Sequence, residues 1–166
     1  MQVALRPAQD GDEPFLLRVY AQTREQELAR VDWSAERKDA FVKMQFAAQT
    51  AHYAQYGGLS IDIVLVDGEA AGRLLVARWT DEIRSVDIAL LATFRGRGAG
   101  GELLGALTAE ATVTARRLSI HVERESRALG LYERLGFRTA GEGGPYVRMQ
   151  WHPAAERPPA QVKIAS

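Results

Sequence analysis

Residues 84–101 read RSVDIALLATFRGRGAGG. A strand-like run, Arg84–Leu91, passes through the connection Ala92 to Arg95 into a turn. That turn, Arg95-Gly96-Arg97-Gly98-Ala99-Gly100-Gly101, holds four glycines and two arginines. Helical spacing follows from Gly98 to Arg117 through Leu103, Leu104, Leu107 and Ala111, and Leu118–Val122 reads as a strand. A strand, a crossover helix and a second strand predict a parallel pair.

Working outward, Val3–Arg6 reads as a strand stopped by Pro7. A helix is expected from Asp12 to about Leu28, with Pro14 suiting its first turn. Ser34 can cap a second helix, with Phe41, Met44, Ala48 and Ala51 on one face and Gly57-Gly58 as its stop. Leu59–Val66 and Ala70–Trp79 flank Asp67-Gly68, a strong hairpin signal. Beyond the parallel unit, Ser126 caps a short helix carrying Leu131, Tyr132 and Leu135, which stops at Gly136. Phe137–Ala140 and Tyr146–Trp151 close as strands around a loop, Gly141–Pro145. The order β-α-α-β-β-β-α-β-α-β-β predicts a mixed sheet with helices on its faces.

The chain has 166 residues, enough for one domain. Residues 1–152 are read as that domain, and 153–166, rich in Ala and Pro, as a tail that the Pro158-Pro159 pair keeps out of helix or central strand. Hydrophobic residues make up 46% and charged residues 25%, a mix that excludes disordered and collagen-like chains. Lys+Arg 21 balances Asp+Glu 21, so neither nucleic acid nor a membrane surface is expected as a partner. With no cysteine, disulfides, thiol nucleophiles and thiolate metal sites are excluded. His52, His121 and His152 show no metal spacing. The start lacks a signal-peptide pattern, and the longest apolar runs fall far short of a membrane span, so a cytoplasmic location is expected.

Repeated glycines let backbone approach a ligand closely, and a helix N-terminus offers unpaired N–H groups to phosphate. No Gly-Lys-Ser/Thr follows, which excludes a Walker loop. The dinucleotide fingerprint is formally met by Gly96, Gly98 and Gly101, with Glu123 about 20 residues on. Against it, four residues separate the strand from the first glycine, and only 43 residues follow Glu123, too few for a doubly wound sheet.

Arg95-Gly96-Arg97-Gly98-Ala99-Gly100, after a strand and opening a helix, resembles the Arg/Gln-x-x-Gly-x-Gly/Ala signature of the GNAT acyltransferases. Ala128-Leu129-Gly130-Leu131-Tyr132-Glu133-Arg134-Leu135-Gly136-Phe137 is similar to that family's Ala-x-x-Leu-Tyr-x-x-x-Gly-Phe. The likeness covers about residues 2–151. It implies an α+β (mixed α/β) fold, a central mixed sheet of about seven strands splayed between strands 4 and 5. It also implies acetyl-CoA as cosubstrate, no metal, and a small-molecule or peptide amine as acceptor, with a homodimer as the family expectation.

By the same resemblance, backbone N–H groups of Arg95, Gly96, Arg97, Gly98, Ala99, Gly100 and Gly101 would hold the coenzyme A pyrophosphate. Leu90 and Leu91 would pair with the pantetheine arm, and an N–H near Leu90 would stabilise the developing oxyanion. Tyr132 is the implied proton donor to the departing thiolate, since a phenol near 10 exceeds a typical thiol near 8.5; packing beside Ala128 and Leu135 is its plain alternative. Asp87 is the candidate base, with Glu82 and a water chain as alternatives, and either carboxylate could instead partner an arginine. Where the family often carries Asn, this chain has Glu125, so Ser126 is the expected ligand contact there. That departure keeps open a non-catalytic acyl-CoA-binding module on the same fold. His121, between Ile120 and Val122, reads as structural, and Arg116-Arg117 as the end of a helix. Trp33 and Trp79 either line the acceptor site or fill the core, and Glu25, Glu27 and Asp32 would suit a cationic acceptor.

Overall fold

The computed structural model describes residues 1–154. In chain order the elements are β1 (Val3–Pro7), α1 (Glu13–Leu28), α2 (Ala35–Tyr53), β2 (Leu59–Val66), β3 (Glu69–Arg78), β4 (Glu82–Leu90), α3 (Ala99–Val113), β5 (Arg117–Glu123), α4 (Leu129–Arg134), β6 (Arg138–Gly143) and β7 (Tyr146–Trp151). The seven strands form one sheet in the order β1-β2-β3-β4-β5-β7-β6. Only β4 and β5 run parallel. The Ala/Pro-rich tail expected at 153–166 lies outside the described residues apart from Pro153 and Ala154.

Local chemistry sets the element ends. The Ser34 Oγ accepts from the Arg37 N–H at 3.1 Å and caps α2. Asp67 and Gly68 both take positive φ in the two-residue turn joining β2 to β3. Several expected boundaries move, two of them for a clear local reason. α3 ends at Val113 rather than Arg117, because Ala115 adopts φ +50° and the Arg116 N–H folds back onto the Ala111 carbonyl at 2.9 Å. Arg117 therefore opens β5. The expected loop at Gly141–Pro145 shrinks to Gly144-Pro145, since β7 pairing carries β6 through Gly143.

Side chains alternate across the sheet, so its two faces differ. On one face Val64, Leu74, Val76, Ile83, Leu118 and Ile120 pack with Leu103, Leu104, Leu107 and Ala111 of α3. Gly100, Gly101 and Gly105 weaken α3 by roughly 0.5–1 kcal/mol each. Burial of its three leucines, at roughly 1.5–3 kcal/mol each, outweighs that. On the other face α1 packs Val19 against Ala89 and Leu91, and Tyr20 meets Phe46 of α2.

β4 changes partner midway. Glu82–Ser85 pair with Arg117–Ile120 of β5, and pairing then stops. At the same place the β3 register jumps from Leu75↔Asp87 to Val76↔Ser85, leaving Val86 as a one-residue bulge. Beyond it β4 and β5 diverge.

Candidate active site

The divergence leaves the β5-facing edge of β4 open. The Leu91 N–H donates to the Ala71 carbonyl of β3 at 2.8 Å. Strand alternation then turns the N–H groups of Leu90 and Ile88 the other way, into the gap. Leu91 itself is engaged by β3, and its side chain is core. Gly72 sits opposite Leu90 in the register. A Cβ there would lie 2.2 Å from the Ala89 carbonyl oxygen, so glycine is what lets β3 approach β4 at this point.

The glycine-rich turn lies directly beyond. Gly96 and Gly98 take φ +73° and +93°, Gly98 opening α3 with no side-chain cap. A Cβ added at Gly96, Gly100 or Gly101 would meet nothing within 4 Å. Protein packing therefore does not require these glycines, and the space they leave suits a close-lying pyrophosphate. The turn is anchored from both sides: the Ala92 N–H donates to Gln22 of α1 at 2.7 Å, and Arg95 Nε donates to the Leu90 carbonyl at 2.9 Å. The Arg97 guanidinium lies 5.6 Å from the Phe94 ring centroid. Glu125 is exposed, while the Ser126 Oγ accepts from the Ala128 N–H at 3.1 Å ahead of α4.

Tyr132 and Asp87 approach the gap from opposite faces. Tyr132 packs edge-on against Phe137, centroids 5.7 Å apart, on the α3 side. Burial raises its pKa above the usual 10, and the charge of Asp87 raises it further. Asp87 points to the α1–α2 side, where its Oδ2 accepts from Arg73 Nε at 2.7 Å. Burial pushes the Asp87 pKa up, opposed by the charge and hydrogen bond of Arg73. Arg73, buried within β3, is held in turn by Gln49 of α2 at 2.9 Å. Glu82, the other acidic candidate, is buried between Arg117 at 2.8 Å and Arg84 at 3.0 Å.

A cleft of about 710 Å³ opens beside Asp87, bounded by α1, the end of α2, β4, β5 and the start of β7. The bulge places Val86 and Asp87 both on its wall. Tyr53, Tyr56, His52 and Tyr146 supply aromatic surface, and Arg84, His121 and Glu123 complete the sheet side. Burial and the charge of Asp87 push Tyr53 up to about 12, so its hydroxyl stays a hydrogen-bond donor at neutral pH. His121 turns into this cleft rather than into the core that holds Ile120 and Val122. Burial lowers its pKa, helped by the charges of Arg84 and Arg148.

Trp79 stacks on Tyr56 beneath Arg84, behind the cleft wall, whereas Trp33 packs on Phe41 and Arg37 and does not line it. Of Glu25, Glu27 and Asp32, only Glu27 lines the cleft, paired with Arg24 at 3.0 Å. Arg73, Arg84 and the α2 aromatics escape a reading of the sequence. The one available signal is an arginine inside the apolar run Ala70–Ala77, which must find a carboxylate.

This geometry is a fold shared with known proteins. Residues 58–139 match the family described as "Acetyltransferase (GNAT) domain". The PaiA N-acetyltransferase of Thermoplasma acidophilum, solved with coenzyme A, is 14% identical over 92% of this chain and 99% of its own, with a TM-score of 0.68. An acetyltransferase of Thermus thermophilus is 20% identical over 92% and 97%, TM-score 0.66. A GNAT family acetyltransferase of Elizabethkingia anophelis with acetyl-CoA bound is 18% identical over 90% and 97%, TM-score 0.59. No curated protein matches the sequence. Residues 58–139 thus match the GNAT acetyltransferase domain, and the described chain has the fold of these solved acetyltransferases.

Proposed function

We propose that this protein transfers an acetyl group from acetyl-CoA to a primary amine by direct attack in a ternary complex. The observation that carries the reading is the gap between β4 and β5. It sets an open strand edge and a glycine turn on one line, with Tyr132 and Asp87 on its two sides.

The residues fit the cosubstrate: the Gly96–Gly101 turn would hold the pyrophosphate, and the edge of β4 would pair with the pantetheine arm. Bound there, acetyl-CoA supplies a thioester whose carbonyl carbon is open to an amine. The Leu90 or Ile88 N–H, already aimed into the gap, stabilises negative charge on the carbonyl oxygen without reorganising. The amine nitrogen bonds to the acetyl carbon, and the C–S bond breaks with its electron pair on sulfur. Tyr132 O–H gives its proton to that sulfur; its raised pKa keeps the proton in place until a thiolate forms. The Asp87 carboxylate takes the amine proton, directly or through one water, while Arg73 holds it in position. No cysteine exists to carry an acyl group, which favours direct transfer.

Tyr132→Phe tests the assignment. General-acid removal lowers kcat by about 10²–10⁴-fold, with acetyl-CoA affinity measured by calorimetry unchanged. Unchanged kcat would remove Tyr132 from the chemistry.

A further inference from the structure

Arg84 is fixed on three sides. Its Nε donates to the Ser119 Oγ at 3.2 Å, an NH2 hydrogen goes to Glu82 at 3.0 Å, and its guanidinium lies 5.0 Å from the Trp79 ring centroid. It nevertheless lines the cleft, and its NH1 group donates to nothing among the described residues. The other two arginines on the wall each hold a carboxylate that also lines it, Arg24 with Glu27 and Arg73 with Asp87. Arg84 instead shares Glu82, behind the wall, with Arg117. An immobilised guanidinium with donors left toward a cleft is organised to take a planar anion.

The opposite polarity lies at the other end. Glu123 forms no ion pair among the described residues and stands four residues beyond Ser119, the β5 partner of Arg84. Asp87 stands on the same side, beyond the bulge. The cleft therefore runs from a guanidinium at the paired end of β4–β5 to carboxylates at the open end, where the thioester would lie. His121, between them on β5, has its pKa lowered first by burial and then by the charges of Arg84 and Arg148, against that of Glu82. At about 3.3 Å per residue, Arg84 and Asp87 are within roughly 10 Å along β4, a span that two side chains and one small bifunctional molecule close.

We infer that the acceptor is a free amino acid, its carboxylate bound by Arg84 and its amino group directed toward Asp87. Glu123 adds attraction for the ammonium as it enters, and the rings of Tyr53, Tyr56 and Tyr146 receive the side chain. The inference rests on the acetyl-transfer reading of the same site and makes Arg84 its specificity-determining residue. A single guanidinium also matches a carboxylate better than a dianionic phosphate.

The test compares each standard amino acid with its carboxamide and its decarboxylated amine, following thiol release from acetyl-CoA. Wild type, Arg84→Gln and Arg84→Lys are assayed, with calorimetry of acetyl-CoA on each preparation. For at least one amino acid, kcat/KM should exceed that of both analogues by about tenfold or more, the scale of a hydrogen bond between charged groups. In Arg84→Gln the ratio of amino acid to carboxamide should fall toward one, and Arg84→Lys should recover part of it. Equal or faster turnover of the uncharged analogues overturns the inference, as does faster turnover of O-phosphoethanolamine or a ratio that survives Arg84→Gln. Acetyl-CoA binding without turnover of any amino acid also overturns it and leaves the acetyl-transfer reading standing. Failure to bind acetyl-CoA removes that reading itself. The wild-type comparison decides the matter even where a variant fails to fold.

Discussion

At the residue scale the Arg73–Asp87 pair matters most. It joins β3 to β4 beside the bulge and ties both to α2 through Gln49. Arg73 is almost fully buried, so deleting its partner leaves a charge without compensation. Asp87→Ala should cost about 3 kcal/mol of stability, and Asp87→Asn, which keeps an oxygen acceptor, clearly less. Urea denaturation of the three proteins measures the difference. In turnover both variants should be slow, whereas the Asn variant should keep more of its thermal stability than the Ala variant. Equal damage from Asn and Ala in stability, with turnover retained, would make Asp87 a strut and nothing more. The raised Asp87 pKa sets the sign of the pH effect. Protonation disables a base, so the acidic loss of rate begins above the ordinary carboxylate range and is absent from the residual activity of Asp87→Asn.

A second residue-scale effect lies far from the cleft. Asp12 is held at about 2 by a hydrogen bond from Arg6 and one from the Gln9 N–H. Its folded pKa is depressed below 3.8, so its contribution to stability is present above that value and is lost as pH falls through about 2. Denaturation of Asp12→Asn, measured between those two values, should show a flatter pH dependence than wild type. Because Arg6 is well exposed, added salt should narrow the difference.

At the scale of elements, the sequence announces most of the framework. Asp67-Gly68, Ser34, Gly136 and the glycine turn each encode a backbone requirement that few residues satisfy, and each element falls where those signals put it. β6 is less legible because Gly141 and Gly143 disfavour strand locally. Pairing with β7 and the Arg148 donation to the Ala140 carbonyl at 3.2 Å override them. The end of α3 misleads because Ala115 is an alanine in a conformation usually given to glycine. The cleft beside Asp87 is the least legible part. α2 and the turn after it bring His52, Tyr53 and Tyr56 to a sheet whose contributing residues lie far along the chain, and no local pattern encodes that meeting. His121 illustrates the same limit, since alternation places it opposite the core without saying what lies on its side.

The close approach of β3 to β4 gives an element-scale prediction. In Gly72→Ala the new methyl collides with backbone rather than a yielding side chain, so β4 must move at Leu90. Stability should fall by about 2–3 kcal/mol, and acetyl-CoA affinity should fall with it, because Leu90 carries the open edge. Thermal melts with and without acetyl-CoA separate the two effects. A destabilised protein that binds acetyl-CoA normally would show that the edge of β4 is not the docking strand.

At the scale of the molecule, one gap in the sheet is open from two directions. The bulge at Val86 ends the β4–β5 pairing, and the gap that results is reached by the glycine turn from one end and by the cleft from the α1–α2 face. No helix among the described residues is long and apolar enough to cross a membrane. The most direct measurement is calorimetric titration with acetyl-CoA, using NADH and ATP as controls and an Arg95→Ala/Arg97→Ala variant alongside. The account predicts selective micromolar binding of acetyl-CoA, weakened in the variant that loses both arginines of the turn. A well-folded protein that does not bind acetyl-CoA, or binds NADH as well, would contradict the cosubstrate assignment and every catalytic role built on it.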